Sequence, residues 1–210
     1  MNIDNILEIS TASILLIEER ARKNIVIGVP HHAPLGTLEL PCREHRNSDE
    51  NAGYLGRYLA GKLGCCSIVA CNYSVDVNKC LRSDYSMQIA VWNPMVLVEI
   101  HGHSGKNANS DIEISSGSTN NNKSCELANI LKEAFLAYKG LKTISVCGEY
   151  SKLHFKASKA VTISDGRWLA YHIELPPILR KPNHNACIRP PDVGYQFCDI
   201  LAKALGQLHD

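Results

Sequence analysis

The sequence has no apolar run of membrane length. Its longest candidates, such as Met95 to Ile100, are only strand-sized, far short of the roughly 20 residues a bilayer-crossing helix needs. It also lacks a block or stripe of Lys and Arg. Its 22 basic and 21 acidic residues leave a net charge of +1, which argues against a nucleic-acid footprint and for a chain with no nucleic-acid or membrane partner. Met1 to Glu8 carries acids and no basic n-region, so a secretory signal is not expected. No paired CxxC motif occurs among the 9 cysteines. Their odd number, and the placement of Cys65, Cys66, Cys71 and Cys147 in apolar runs, fit reduced thiols packed as small hydrophobes in a cytoplasmic protein. No internal repeat breaks up the 210 residues, and that length suits a single domain spanning 1–210.

What the chain does have is alternating strand-like and helix-like segments. Ile14 to Glu18 and Asn24 to Val29 are β-rich runs separated by mixed charges, read as a hairpin, although the first run also permits a helix. A loop rich in Pro, Gly and His follows Pro30 and runs to about Ser48; loops of that length in compact domains are often functional. Ser48 is placed to cap a helix with Asp49 and Glu50 in its first turn, where the dipole favours acids. Tyr54, Leu55, Tyr58, Leu59 and Leu63 form its stripe and Gly64 its end. Short strands are expected at Ser67–Ala70, Met95–Ile100, Asp111–Ser115 and Thr143–Cys147. An amphipathic helix is expected from about Ser124 to Tyr138. Ala160–Ile163 and Trp168–Leu175 read as strands joined by an Asp165-Gly166 turn. Pro191 opens a last helix and Gly206 closes it. The interleaving predicts an α/β fold, a three-layer α/β/α sandwich around a mixed central sheet.

Three buried strands end in polar residues able to bind a metal: His31-His32, Glu99-Ile100-His101-Gly102-His103, and His172-Ile173-Glu174. Ligand crevices in open α/β sheets lie at the strands' carboxyl ends. A catalytic zinc takes three protein ligands and leaves one position open. His31, His101 and one of Asp49 or Glu50 supply such a set, and Glu174 is the leading carboxylate for a base. Glu99 shares a strand face with His101, which suits a partner of that histidine. Taken singly, these residues have ordinary alternatives: Glu50 as a helix-start acid, Glu174 as an ion-pair partner of Arg180.

The segments Val29-Pro30-His31-His32-Ala33, Ser48-Asp49-Glu50-Asn51-Ala52-Gly53, Val75-Asp76-Val77-Asn78-Lys79, Glu99 to His103 and His172 to Leu175 together resemble the N-formylglutamate amidohydrolase-like proteins. Those are related in fold to zinc carboxypeptidases and aspartoacylase-type deacylases. The resemblance implies a zinc-dependent amidohydrolase acting on an N-acyl or N-formyl amino acid, with one zinc per chain. It implies His31 and His101 as ligands. Alignment with the deacylase pattern selects Glu50 over Asp49 as the third, and the late strand glutamate falls on Glu174. Asn78 and Lys79 are expected to hold an acidic group of a small-molecule or short-peptide substrate, with His32 and His103 accessory. Lys79 stands where the family has arginine, keeping the charge but losing the bidentate fork. Asn72 stands where a second arginine is usual, and Pro34 where carboxypeptidases place a glutamate. The other readings are a carboxypeptidase-like peptidase acting on a peptide or cell-wall fragment, and a binding protein that keeps the fold without turnover.

Overall fold

The structure is a computed structural model and describes residues 3–183 and 187–209. In chain order the elements are α1 (Ile3–Ile9), β1 (Ile14–Glu18), β2 (Arg22–Ala33), β3 (Asp49–Glu50), α2 (Ala52–Leu63), β4 (Cys65–Cys71), α3 (Asp84–Trp92) and β5 (Val96–Gly102). Then come β6 (Ile112–Ser115), α4 (Asn121–Phe135), β7 (Val146–Cys147), α5 (Val161–Ser164), β8 (Leu169–Leu175), α6 (Pro177–Arg180) and α7 (Asp192–His209). The strands form one 8-stranded mixed sheet ordered β1-β4-β2-β5-β8-β6-β7, with β3 added on β2. Its centre is parallel: β4, β2, β5 and β8 run the same way, while β1 pairs antiparallel with β4 and β6 with β8.

Burial on both faces explains the composition of the central strands. Ile25 to Ala33 and Val96 to His101 are buried without a break, as parallel strands covered by helices on both sides must be. One face packs Leu55 and Leu59 of α2, Leu127 and Leu131 of α4, and Phe197 and Leu201 of α7. The other packs Tyr85 and Ile89 of α3 with Ile163 of α5 and Trp168. Among the described residues no helix is long and apolar enough to cross a membrane.

Three local expectations change. β1 does not form a hairpin with β2; it pairs with β4, Ile14 opposite Cys71, and β4 lies between them. β2 needs both of its edges covered, whereas half-exposed β1 suits the sheet's edge. Ala160–Ile163 is not a strand: Val161–Ser164 makes one helical turn, and Asp165 pairs with Arg167 instead of turning a hairpin. The last helix runs through Gly206 to His209. A fourth change, at Asp49-Glu50, bears on the site.

Candidate metal centre

Asp49 and Glu50 are not in a helix. They form β3, paired in parallel with His32 and Ala33. The helix begins at Ala52, after Asn51 turns the chain at φ 65°. Successive residues of a strand point to opposite faces, so the two acids part company. Asp49 Oδ2 lies 3.5 Å from His31 Nδ1 and 3.4 Å from His101 Nδ1. Glu50 turns away, accepting a hydrogen bond from the Gly36 amide at 2.8 Å and pairing with Lys181. The acid brought to the two histidines is thus Asp49, not the expected Glu50, because the backbone there is extended rather than helical.

The three atoms fit a metal ion. Ligands about 2.0–2.1 Å from a tetrahedral zinc stand about 3.4 Å apart, close to the two spacings here. His31 Nδ1 and Asp49 Oδ2 are buried and have no hydrogen-bond partner, an arrangement that is costly without a partner. The far nitrogens of both rings meet carboxylates: His31 Nε2 lies 3.0 Å from Asp76 Oδ1, and His101 Nε2 lies 3.4 Å from Glu99 Oε2. Such outer carboxylates orient ligating imidazoles. Although burial opposes it, Asp49 and Glu99 raise the His101 pKa to about 10, and the two imidazoles hold the Asp49 carboxyl far below the usual range. The pocket between these groups favours positive charge.

Glu174 sits on β8 directly opposite His101 of β5. It is buried, its Oε2 has no partner, and burial pushes its pKa up to about 7 against the pull of His101. Its Oε1 is 3.5 Å from His172 Nε2, and the His172 ring lies over His101 at 4.0 Å. Arg180 makes no ion pair with Glu174. Its guanidinium is buried and donates to three carbonyls, Leu175 (3.2 Å), Glu50 (2.7 Å) and His103 (2.9 Å). Gly102 permits this, since a Cβ there would stand 2.1 Å from the guanidinium carbon.

A cavity of about 450 Å³ opens over these residues. Asn78 and Lys79 line it. Asn78 Nδ2 donates to Glu99 Oε2 at 3.2 Å, leaving its buried Oδ1 without a partner, and Lys79 pairs with Asp76 at 2.6 Å. His103 also lines the cavity, but its nitrogens are taken by the Asp111 carbonyl and the Gly105 amide. His32 is not at the cavity: it bonds the Leu7 carbonyl and the Gly53 amide, and burial lowers its pKa to about 4. Sequence reasoning gave no role to Asp76 or His45, and none to His172 beyond its place at a strand end able to bind a metal. His45 stacks on His31 with ring centroids 3.8 Å apart, and its place in a long irregular loop gave no periodic signal.

No family model and no curated protein matches the chain. Solved structures do. N-formylglutamate amidohydrolase from Ralstonia eutropha JMP134 superposes with a TM-score of 0.56 at 9% identity, covering 94% of this chain and 97% of that one. This chain has that fold. A bacteriophage poly-gamma-glutamate hydrolase aligns with a TM-score of 0.62 at 12% identity, over 99% of this chain and 94% of the other. The zinc-free form of YNDL aligns at 0.57 and 12% identity, over 93% and 90%.

Proposed function

We propose that the chain is a zinc-dependent hydrolase of amide bonds, acting on N-acyl amino acid substrates that carry an acidic group. The observation that carries this is the buried triangle of His31 Nδ1, Asp49 Oδ2 and His101 Nδ1, two of its atoms without partners, beside the buried carboxylate of Glu174. The neighbouring fold includes an N-formylglutamate amidohydrolase, which supports the choice of amide bond.

His31, Asp49 and His101 would hold the ion. The chemistry zinc supplies when bound is Lewis acidity toward a carbonyl and toward water. The chain's own residues then divide the work. Asp76 and Glu99 keep the two imidazoles oriented. Glu174, with a free buried oxygen, takes a proton from the attacking water and returns it to the leaving nitrogen. Lys79 and Asn78, on the cavity wall, hold the substrate's acidic group, Lys79 by charge and Asn78 by the Nδ2 proton not given to Glu99.

The test is zinc content by elemental analysis together with release of free amine from N-formyl-, N-acetyl- and longer N-acyl-L-glutamates. About one zinc per chain and zinc-dependent cleavage are expected. A protein that takes up no zinc overturns the metal reading. A protein that binds zinc and cleaves none of the series overturns the N-acyl amino acid reading and leaves the peptidase and the binding protein.

A further inference from the structure

One buried carboxylate lies outside this chemistry. Glu113 of β6 is fully buried and stands opposite Glu174 in the antiparallel β6–β8 ladder. Opposed residues in such a ladder share a sheet face, so Glu113 lies next to the site without entering the metal triangle. Its oxygens accept backbone amides from two separate loops. Oε1 takes Asn109 N at 2.7 Å, and Oε2 takes both His154 N and Phe155 N at 2.8 Å.

The second of those loops forms one side of the cavity: Phe155, Ala157, Ser158, Lys159 and Ala160 all line it. It is tied at further points. Ser115 Oγ donates to the Lys156 carbonyl at 2.8 Å, and Val161 N donates to the Asn78 carbonyl at 2.8 Å. Asn109 Nδ2 reaches the Lys152 carbonyl at 2.9 Å, joining the two loops to each other. The Phe155 ring lies nearly parallel to His103, 5.4 Å centre to centre. Between the ties Ala157 adopts φ 52°, a left-handed conformation that an L-residue keeps only where its surroundings impose it. A connection held this firmly is a fixed wall.

We propose that Glu113 is a positioning residue that holds segment 154–160 as the selectivity wall of the cavity, deciding which acyl groups fit. This rests on the reading of the cavity as the substrate site. A carboxylate is required because both oxygens must accept. In Glu113→Gln one of the two becomes an NH₂, so whichever way the amide turns, either Asn109 or the His154–Phe155 pair faces a donor.

The experiment compares wild type, Glu113→Gln and the milder Ser115→Ala, which loses the Lys156 tie and the Gly117 amide bond to the same hydroxyl, as full-length zinc-loaded protein. Three readouts are taken: zinc per chain, amide hydrogen exchange, and kcat and KM over glutamates acylated with formyl, acetyl and phenylacetyl groups. Glu113→Gln should keep its zinc and exchange faster at 109 and 154–160. On the preferred substrate KM should rise about tenfold and kcat change by less than about threefold, and the preference among acyl groups should shrink about tenfold. Ser115→Ala should move in the same direction by less, and it carries the test if Glu113→Gln does not fold. Unchanged exchange at 154–160 overturns the anchor. Faster exchange with unchanged acyl preference overturns the selectivity role, and loss of zinc places Glu113 with the metal site instead. A wild type that cleaves none of the series defeats the functional reading and the selectivity role with it, while exchange still judges the anchor.

Discussion

Asp49→Asn and Glu50→Gln form a matched pair that separates the two neighbouring acids. Asp49→Asn removes the charge from the oxygen that faces both His31 and His101 at 3.5 and 3.4 Å, with little change in size. Structural zinc sites with four ligands bind with roughly 10–16 kcal/mol, or roughly 2.5–4 kcal/mol per ligand. Loss of this ligand should therefore weaken zinc binding by about 10²- to 10³-fold. Glu50→Gln acts elsewhere. It disturbs the Lys181 pair and the Gly36 amide bond, interactions whose loss costs about 1 kcal/mol of stability, and it should leave zinc affinity within about threefold because it removes no ligand atom. Competition with a chromophoric chelator measures the affinities, and thermal melts of the metal-free proteins measure the stability change. Equal losses of affinity, or a larger loss at Glu50, would refute the argument, for they would mean that β3 presents the opposite face to the histidines.

Three further outcomes follow from the same geometry. Asp76→Asn should lower zinc affinity about 10- to 100-fold while leaving the ligand set intact, since it weakens the 3.0 Å contact to His31 Nε2 and the Lys79 pair but removes no ligand atom; isothermal titration with zinc measures it, and an unchanged affinity removes Asp76 from the site. Glu174→Gln should retain zinc and fold while turnover drops about 10²- to 10⁴-fold; near-normal turnover per bound zinc would send the search for the base to Glu99. Glu18 gives a pH test away from the metal. Hydrogen bonds from Arg57, at 2.6 and 3.0 Å, hold its carboxyl below the usual carboxylate range against the effect of burial. Because the folded-state pKa is depressed, the stabilisation is present above the unfolded value and lost as pH falls through the folded one. Glu18→Gln should therefore melt earlier than wild type at neutral pH, by about 1 kcal/mol, and the gap should narrow as pH falls below the usual carboxylate range; a gap that does not change with pH would contradict the assignment.

The parts of the site that can be read in the sequence are those attached to long, continuously buried strands. His31, His101 and Glu174 each follow an apolar run at a strand's carboxyl end, and the parallel order β2-β5-β8 brings them to one edge. Glu99 is readable as a partner of His101 by strand alternation alone. The choice between Asp49 and Glu50 is not, because a polar pair before an apolar helix looks the same whether it caps that helix or adds a short strand to a distant β2. Only tertiary pairing with His32 and Ala33 decides it. The β1–β4 pairing is hidden for a similar reason, since nothing local to Ile14–Glu18 identifies Cys71 as its partner. His45 and the wall at 154–160 lie in irregular backbone, where neither a period of 2 nor one of 3.6 operates.

Arg180 makes assembly of the site a question of timing. His31, Asp49 and His101 emerge early from a ribosome, and the guanidinium that ties Glu50 to His103 and Leu175 comes 130 residues after Glu50. A growing chain thus contains all three candidate ligands before it contains the clasp that joins the ends of β3, β5 and β8. If the site holds zinc, a nascent or C-terminally shortened chain without Arg180 should capture it more weakly than the complete chain, because the Glu50 carbonyl beside Asp49 is not yet tied. Acquisition of metal would then report completed folding.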